Sequence, residues 1–170
     1  MKFLVYPHCI PERPRLSLKS FIKIVYLTFF VLFLSNSTIA QQNRFCNISI
    51  INNNNEPVFL RVEIADSFES RKRGLMFRKM LKKNSGMLFV FRKEEKRNFW
   101  MKDTFIPLDI AFINRYGVIN EIYYMKPLDT SIIYPSLLPA QYVLEVNKGW
   151  FSENKITVGC KLILNGCIGK

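Results

Sequence analysis

Histidine is nearly absent from this chain: of 170 residues only His8 is one. It falls in a segment expected to be removed, so the mature chain has none. That excludes a Ser-His-Asp triad, a Cys-His pair and every zinc or iron site built on imidazole. Cysteine is scarce too. Of four, Cys9 belongs to the same segment, which leaves Cys46, Cys160 and Cys167. In an oxidising compartment two of these can bridge and one is left over. Cys160 and Cys167 are separated by six residues across a turn at Asn165-Gly166, while Cys46 with either would tie the two ends together. The pairing stays open, and so does a buried free thiol in place of a bridge.

The chain also lacks an apolar run long enough to cross a bilayer, which takes about 20 residues. Its apolar stretch, Ile24 to Leu34, follows Lys19 and Lys23 and precedes Thr38-Ile39-Ala40-Gln41. That arrangement suits the central region of a secretory signal, with cleavage after Ala40. Residues 1–40 are therefore expected to be a signal peptide and 41–170 a single β-rich domain. The alternative is an uncleaved segment anchoring the chain to the inner membrane, because Thr38 is large for its position and the stretch before Lys19 is long. Cys46 follows Asn43-Arg44-Phe45, which is not a lipidation context. The expected location is outside the cytoplasm, in the periplasm of a Gram-negative cell.

Removing residues 1–40 takes 5 of 25 basic and 1 of 13 acidic side chains, leaving a net charge of +8 (20 minus 12) against +12 for the whole. Such charge favours anionic partners such as lipid head groups or polyanions, and export sets nucleic acid aside. The basic residues cluster at Arg71-Lys72-Arg73, Arg78-Lys79, Lys82-Lys83 and Arg92 to Arg97. Such clusters serve either as a solvated face or as a contact for an anion or a membrane surface.

What the chain does have is a dense apolar stretch, Phe99 to Ile113, with four aromatics and four large aliphatics around three charges, Lys102, Asp103 and Asp109. Phe99-Trp100-Met101-Lys102-Asp103-Thr104 and Ile106-Pro107-Leu108-Asp109-Ile110 stand between Arg73-Gly74-Leu75-Met76 and Gly86-Met87-Leu88-Phe89 upstream, and Tyr142-Val143-Leu144-Glu145 and Gly149 downstream. In that order these blocks resemble the bacterial and archaeal family known only as domain of unknown function 192, over about Asn47 to Leu164. Two positions depart from its pattern: Asp103 stands where the family usually has Asn, and Cys160 follows Gly159 where an acidic residue is usual. The family has no established activity, so the resemblance implies a fold and a set of positions and no catalytic residues.

Along the mature chain, Cys46 to Ile51 reads as a strand, stopped by the turn-forming run Asn52 to Pro57. Val58 to Ile64 alternates apolar and polar residues with the period of a half-buried strand. Asp66 and Glu69 resemble a capping box opening a two-turn helix that ends at Gly74. Met87 to Phe91 and Phe99 to Lys102 read as a hairpin around the charged tip Arg92 to Arg97. Leu108 to Ile113 and Val118 to Tyr124 form another hairpin around Asn114 to Gly117. Met125 to Ala140, with three prolines, is the one long loop. Gln141 to Val146 and Lys161 to Leu164 are further strands, with a helical turn at Trp150 to Asn154. Short strands at close spacing predict a mainly β fold, a compact antiparallel β-sandwich or closed barrel with one or two short helices.

Alternation gives each strand an apolar face and a mixed one. Trp100, Lys102, Asp109 and Glu145 fall on mixed faces. If these converge, they present an indole, an ammonium and two carboxylates, which suits a polar ligand. The candidate site is Trp100, Lys102, Thr104, Asp109 and Glu145, with Arg73 and Tyr134 added from the loops. Three roles stay open for it: a buried Lys102 pairing with Asp109 or Glu145 to hold register, binding of a polar or anionic envelope ligand, or hydrolysis of envelope glycan with Asp109 and Glu145 as acid and base. The scattered methionines suit core packing better than a copper site. No metal or cofactor is expected.

Overall fold

The computed structural model describes residues 44–168, with Lys19 the single described residue ahead of them. Contacts divide the chain into two units, Met1–Gln41 and Gln42–Lys170, and the second is treated below. The signal peptide expected at 1–40 and its cleavage point lie outside the described residues.

The described elements are β1 Phe45–Ile51, β2 Pro57–Ala65, α1 Phe68–Arg73, β3 Ser85–Glu95, β4 Asn98–Phe99, β5 Leu108–Ile113, β6 Ile119–Met125, β7 Tyr134–Pro135, β8 Ala140–Asn147, α2 Trp150–Glu153 and β9 Lys161–Ile163. Seven strands form one sheet in the order β6-β5-β8-β3-β2-β1-β9, and β4 pairs with β7 in a separate ribbon. The mainly β fold with two short helices is the one read from the alternation. One ladder differs from the expected antiparallel sheet: β2 and β3 run parallel. A parallel pair needs a crossover connection, and 66–84, with α1 in it, supplies one. Alternation reports a strand and not its direction.

The sheet curls until its ends meet. Val118 bridges Lys161, the Leu162 N–H donates to the Gly117 carbonyl at 2.7 Å, and the Ile119 N–H to the Cys160 carbonyl at 3.0 Å. Gly117 has φ +81°, and a Cβ there would lie 2.6 Å from the Leu162 carbonyl oxygen. Only glycine meets both demands. The turn before it is held by Asn114, whose Oδ1 accepts from the Tyr116 and Val118 N–H groups at 2.9 and 3.0 Å.

The curl creates two cores. Inside it, Ile48, Val62, Leu88, Ile113, Leu144 and Val146 pack with Trp150 and Phe151 of α2. Outside, Met87, Phe89, Ile110, Phe112 and Val143 are covered by Leu75, Met101, Ile106 and Tyr134 from the connections. β5 is buried along its whole length, which is why the densest apolar stretch of the sequence lies there.

Local readings shift in two places. The helix cap is Ser67: its Oγ accepts from the Ser70 N–H, and the Ser70 Oγ accepts from the Ser67 N–H, both at 3.0 Å. Asp66 instead pairs with Arg44 at 2.7 Å. The expected hairpin of Met87 to Phe91 with Phe99 to Lys102 does not form. β3 runs on to Glu95 with both edges occupied by β2 and β8, so the returning chain pairs only at Asn98–Phe99, against Tyr134–Pro135.

Cys46 and Cys167 form a disulfide with Cα atoms 5.7 Å apart and a sequence separation of 121, and Cys160 is a buried free thiol. Asp109 lies on the inner face near its rim, where its Oδ2 accepts from the Gly149 N–H at 2.8 Å. Gly149 has φ +85° and delivers Trp150 and Phe151 to the inner core. Burial pushes the Asp109 carboxyl pKa up, and the Gly149 hydrogen bond and Lys148 pull it back. Asp109 thus holds the turn on which α2 depends.

Two outcomes follow for equilibrium unfolding. Reducing the disulfide, or Cys46→Ser with Cys167→Ser, is expected to cost about 2–4 kcal/mol, since a loop this long constrains the unfolded chain strongly. Asp109→Ala is expected to cost about 1–3 kcal/mol because it leaves a sheltered N–H without its acceptor, whereas Lys102→Met, at an exposed position, stays within about 0.5 kcal/mol.

Candidate functional site

The last turn of α1 carries Arg71, Lys72 and Arg73, and the end of β3 carries a second group of cations with Phe91 before it. Phe91 brings the two groups together: the Arg97 guanidinium lies 3.9 Å from its ring centroid and that of Arg71 5.2 Å, a favourable placement of cation on π-face. Backbone carbonyls hold both in place. Arg71 Nη1 donates to the Val90 carbonyl at 3.1 Å, and Arg97 Nε to that of Ala140 at 3.3 Å. Burial lowers the Arg97 pKa and Arg71 lowers it further, while Glu95 acts in the opposite sense. Two guanidiniums on one ring make a locally cationic wall.

That wall borders a groove of ≈ 610 Å³. Phe89, Phe91, Phe99 and Trp100 supply its aromatic surface, and Arg71, Lys72, Lys96, Arg97 and Lys102 its cations, with Asp103 the one carboxylate among its lining residues. The aromatics are anchored in the outer core, since Phe99 meets Phe89 edge-on at 5.0 Å and Phe112 at 5.8 Å. The groove shares Arg71, Lys72, Met76, Phe89, Phe99 and Trp100 with a recess of ≈ 40 Å³ that is also lined by Arg73, Thr104 and Glu145. The recess has room for water or one small polar group.

Glu145 is the unusual member. It lies opposite Met87 of β3 and Ile110 of β5, which puts it on the outer face of the sheet, and it is 5% exposed. No described residue offers its carboxyl a hydrogen bond or an opposite charge. Burial raises its pKa to about 8, so at neutral pH it is a carboxylic acid, with an O–H to donate. Glu63 makes the contrast. It lies on the same face across Met87 and is equally sheltered, yet Arg78 Nη2 sits 2.7 Å from its Oε2.

The structure gathers five of the seven candidates. Trp100, Thr104, Glu145 and Arg73 line the recess, with the Thr104 hydroxyl donating to the Lys102 carbonyl at 3.1 Å. Lys102 lines the groove, its Nζ 5.4 Å from the Trp100 ring centroid. Tyr134 does not take part: it is buried in the outer core, and its hydroxyl accepts from the Lys126 N–H at 3.3 Å. Nor does Asp109. Ladder partners share a face, and Asp109 pairs with Val146 while Ile110 pairs with Glu145, so the two carboxylates lie on opposite sides of the sheet. They cannot flank one glycosidic bond, which removes the two-carboxylate hydrolysis. The buried Lys102 pair is also absent, since Lys102 is exposed. Extended structure stops at Phe99, and the chain turns through Asp103 at φ +52°. After glycine, Asp and Asn are the residues that enter this conformation most readily, which accounts for one standing where the other is usual.

Arg71, Lys72, Lys96, Arg97 and Phe91 are site residues that the sequence showed only as separate clusters. What unites them is β3 passing beside α1, and no local pattern reports that. Among the described residues no group of three or more His, Cys, Asp or Glu is gathered as metal donors; Met87, Met101 and Met125 are packed in the outer core.

Two solved structures share this architecture over nearly their whole length. One, a proposed transcription regulator from Sinorhizobium meliloti 1021, is 32% identical with a TM-score of 0.70, over 73% of this chain and 96% of its own. The other, a protein of unknown function from Novosphingobium aromaticivorans DSM 12444, is 28% identical with a TM-score of 0.68, over 73% of this chain and 88% of its own. No curated protein matches. The model of domain of unknown function 192, described as an uncharacterized ACR, matches residues 49–164, and with the fold and signature blocks already in place the chain belongs to that family.

Proposed function

We propose that the protein is an exported envelope module that binds a small anionic ligand in the groove between α1 and the β3–β4 turn. The observation that carries this is Glu145, a buried carboxyl without a partner at the end of an aromatic, cation-rimmed groove. Each part of the site asks something of the ligand. The cations ask for a carboxylate, sulfate or phosphate. The aromatic surface asks for a flat or apolar body. The protonated Glu145 asks for an oxygen small enough to enter the recess and accept its proton. A carboxyl of raised pKa in a cleft also suits a general acid, but the one acid lining the adjoining groove is Asp103, which is not buried. Binding is therefore the stronger reading.

Two naphthylamine dyes test the charge requirement, 8-anilinonaphthalene-1-sulfonate and N-phenyl-1-naphthylamine, which has the same rings without the sulfonate. The sulfonate is expected to bind more tightly and to quench the exposed Trp100. Lys72→Glu with Lys96→Glu is expected to weaken it by about tenfold, or 1.4 kcal/mol. Equal affinity for both dyes, or indifference to charge reversal, would remove the anion from the proposal.

Glu145 makes a second prediction. Its folded pKa, about 8, lies above its ordinary value of 4.5, so between these pH values the unfolded chain has released a proton that the folded chain keeps. Stability is then expected to fall as pH rises from about 4.5 to about 8 and to level off above, by an order of a few kcal/mol. Urea unfolding of Glu145→Gln should lack this slope. A parent with no such slope would mean that the carboxyl is ionised at neutral pH.

A further inference from the structure

Beside the groove three loops are laced together through residues in an unfavourable conformation. Phe77, Asp103 and Leu128 have φ of +64°, +52° and +59°. The Phe77 N–H donates to the Asp103 carbonyl at 2.7 Å, and the Leu128 N–H to the Thr104 carbonyl at 3.0 Å. Aspartate tolerates this conformation. Phenylalanine and leucine do so poorly, because a bulky side chain crowds its own backbone there. Burial does not repay the strain: Phe77 is 63% exposed and Leu128 53%, with Met80 and Phe105 exposed in the same loops. For folding alone, asparagine would serve better at both positions. The chain through these loops carries exposed lysines at 79, 82, 83, 102 and 126, and its acids there are Asp103 and Asp129.

We infer that this surface docks on an anionic lipid bilayer, with Phe77, Phe105 and Leu128 entering the interfacial layer and the lysines lying against the head groups. Isolated large apolar side chains on loop tips fit a fluid hydrocarbon boundary, which demands no matching shape. Aromatic rings settle at that depth, and lysines reach outward from it while covering apolar surface with their stems. Each lysine held near anionic lipid strengthens the attachment, and salt weakens it. The apolar anchors are separate from the groove, since Phe77, Phe105 and Leu128 line neither the groove nor its recess, and of the lysines only Lys102 belongs to both.

Co-sedimentation of the intact chain with phosphatidylglycerol vesicles and with phosphatidylcholine vesicles tests it. The parent is expected to prefer phosphatidylglycerol and to lose affinity as salt is added. Phe77→Asn with Leu128→Asn is expected to weaken binding by about tenfold, while the unfolding midpoint is unchanged or higher because asparagine relieves the strain. Dye binding in the groove should be unaffected, which separates failure here from failure of the ligand site. Should the double variant fold poorly, Lys79→Glu with Lys126→Glu gives the same reading through charge. Equal binding of parent and variants, equal preference for both lipids, or a parent dimer dissolved by the asparagine variant would overturn the inference; the last would make the surface a contact between copies of the chain.

Discussion

The rest of the structure depends on β8 lying between β5 and β3 with a core on each side. Its backbone groups are committed to two ladders, Leu144 and Val146 point into the curl, and Val143 and Glu145 point outward under Phe89, Phe99 and Thr104. A carboxylate at such a place loses most of its hydration, and an unpaired one costs several kcal/mol unless it takes up a proton. A leucine at 145 would satisfy the packing without that cost. The fold therefore tolerates Glu145 and gains nothing from it, which is the usual mark of a residue retained for something outside folding.

The other buried acids sharpen the point. Among the described residues Glu63, Asp109, Glu121 and Glu145 are the acidic side chains that are buried. Glu63 ties the 75–80 loop through Arg78, and Asp109 ties the turn before α2. Glu121 accepts from the Leu137 and Leu138 N–H groups and from the Tyr123 hydroxyl, all at 2.8 Å, and so pins the long loop against β6. Each joins a connection to the sheet. Glu145 alone joins nothing and opens into a recess.

Much of this was legible in the chain. Leu108 to Ile113 and Val58 to Ile64 announce themselves as strands, and the turn at Asn114 to Gly117 is marked by an Asx residue and a glycine with distinct duties. The parity of side chains within each strand was also legible: Asp109 does oppose Ile110, and Glu145 does oppose Leu144. What could not be read was register between strands distant in sequence. Ile110 lies opposite Glu145 in β5–β8; a slip of one residue would have set Asp109 there instead and made the pair of carboxylates real. The groove was half legible for the same reason. Its cations stood out as clusters, but their meeting over Phe91 depends on the parallel pairing of β2 with β3, a tertiary choice that no local period encodes.

Two kinds of cost thus sit side by side around Trp100: a desolvated acid in the recess, and bulky residues in left-handed backbone on the neighbouring loops. At the closure of the sheet the opposite holds. Gly117, Asn114 and the β9 contacts each favour locally what the global fold requires. Natural chains relax such agreement chiefly where they do something besides fold. Left-handed residues other than glycine also occur at Asn55, Asn84, Lys155 and Asn165, but the bulky apolar ones, Phe77 and Leu128, lie on loops hydrogen-bonded to the 103–104 turn, and Thr104 lines the recess with Glu145. That grouping supports the proposed ligand and membrane contacts on this side of the sheet over any site in the inner core.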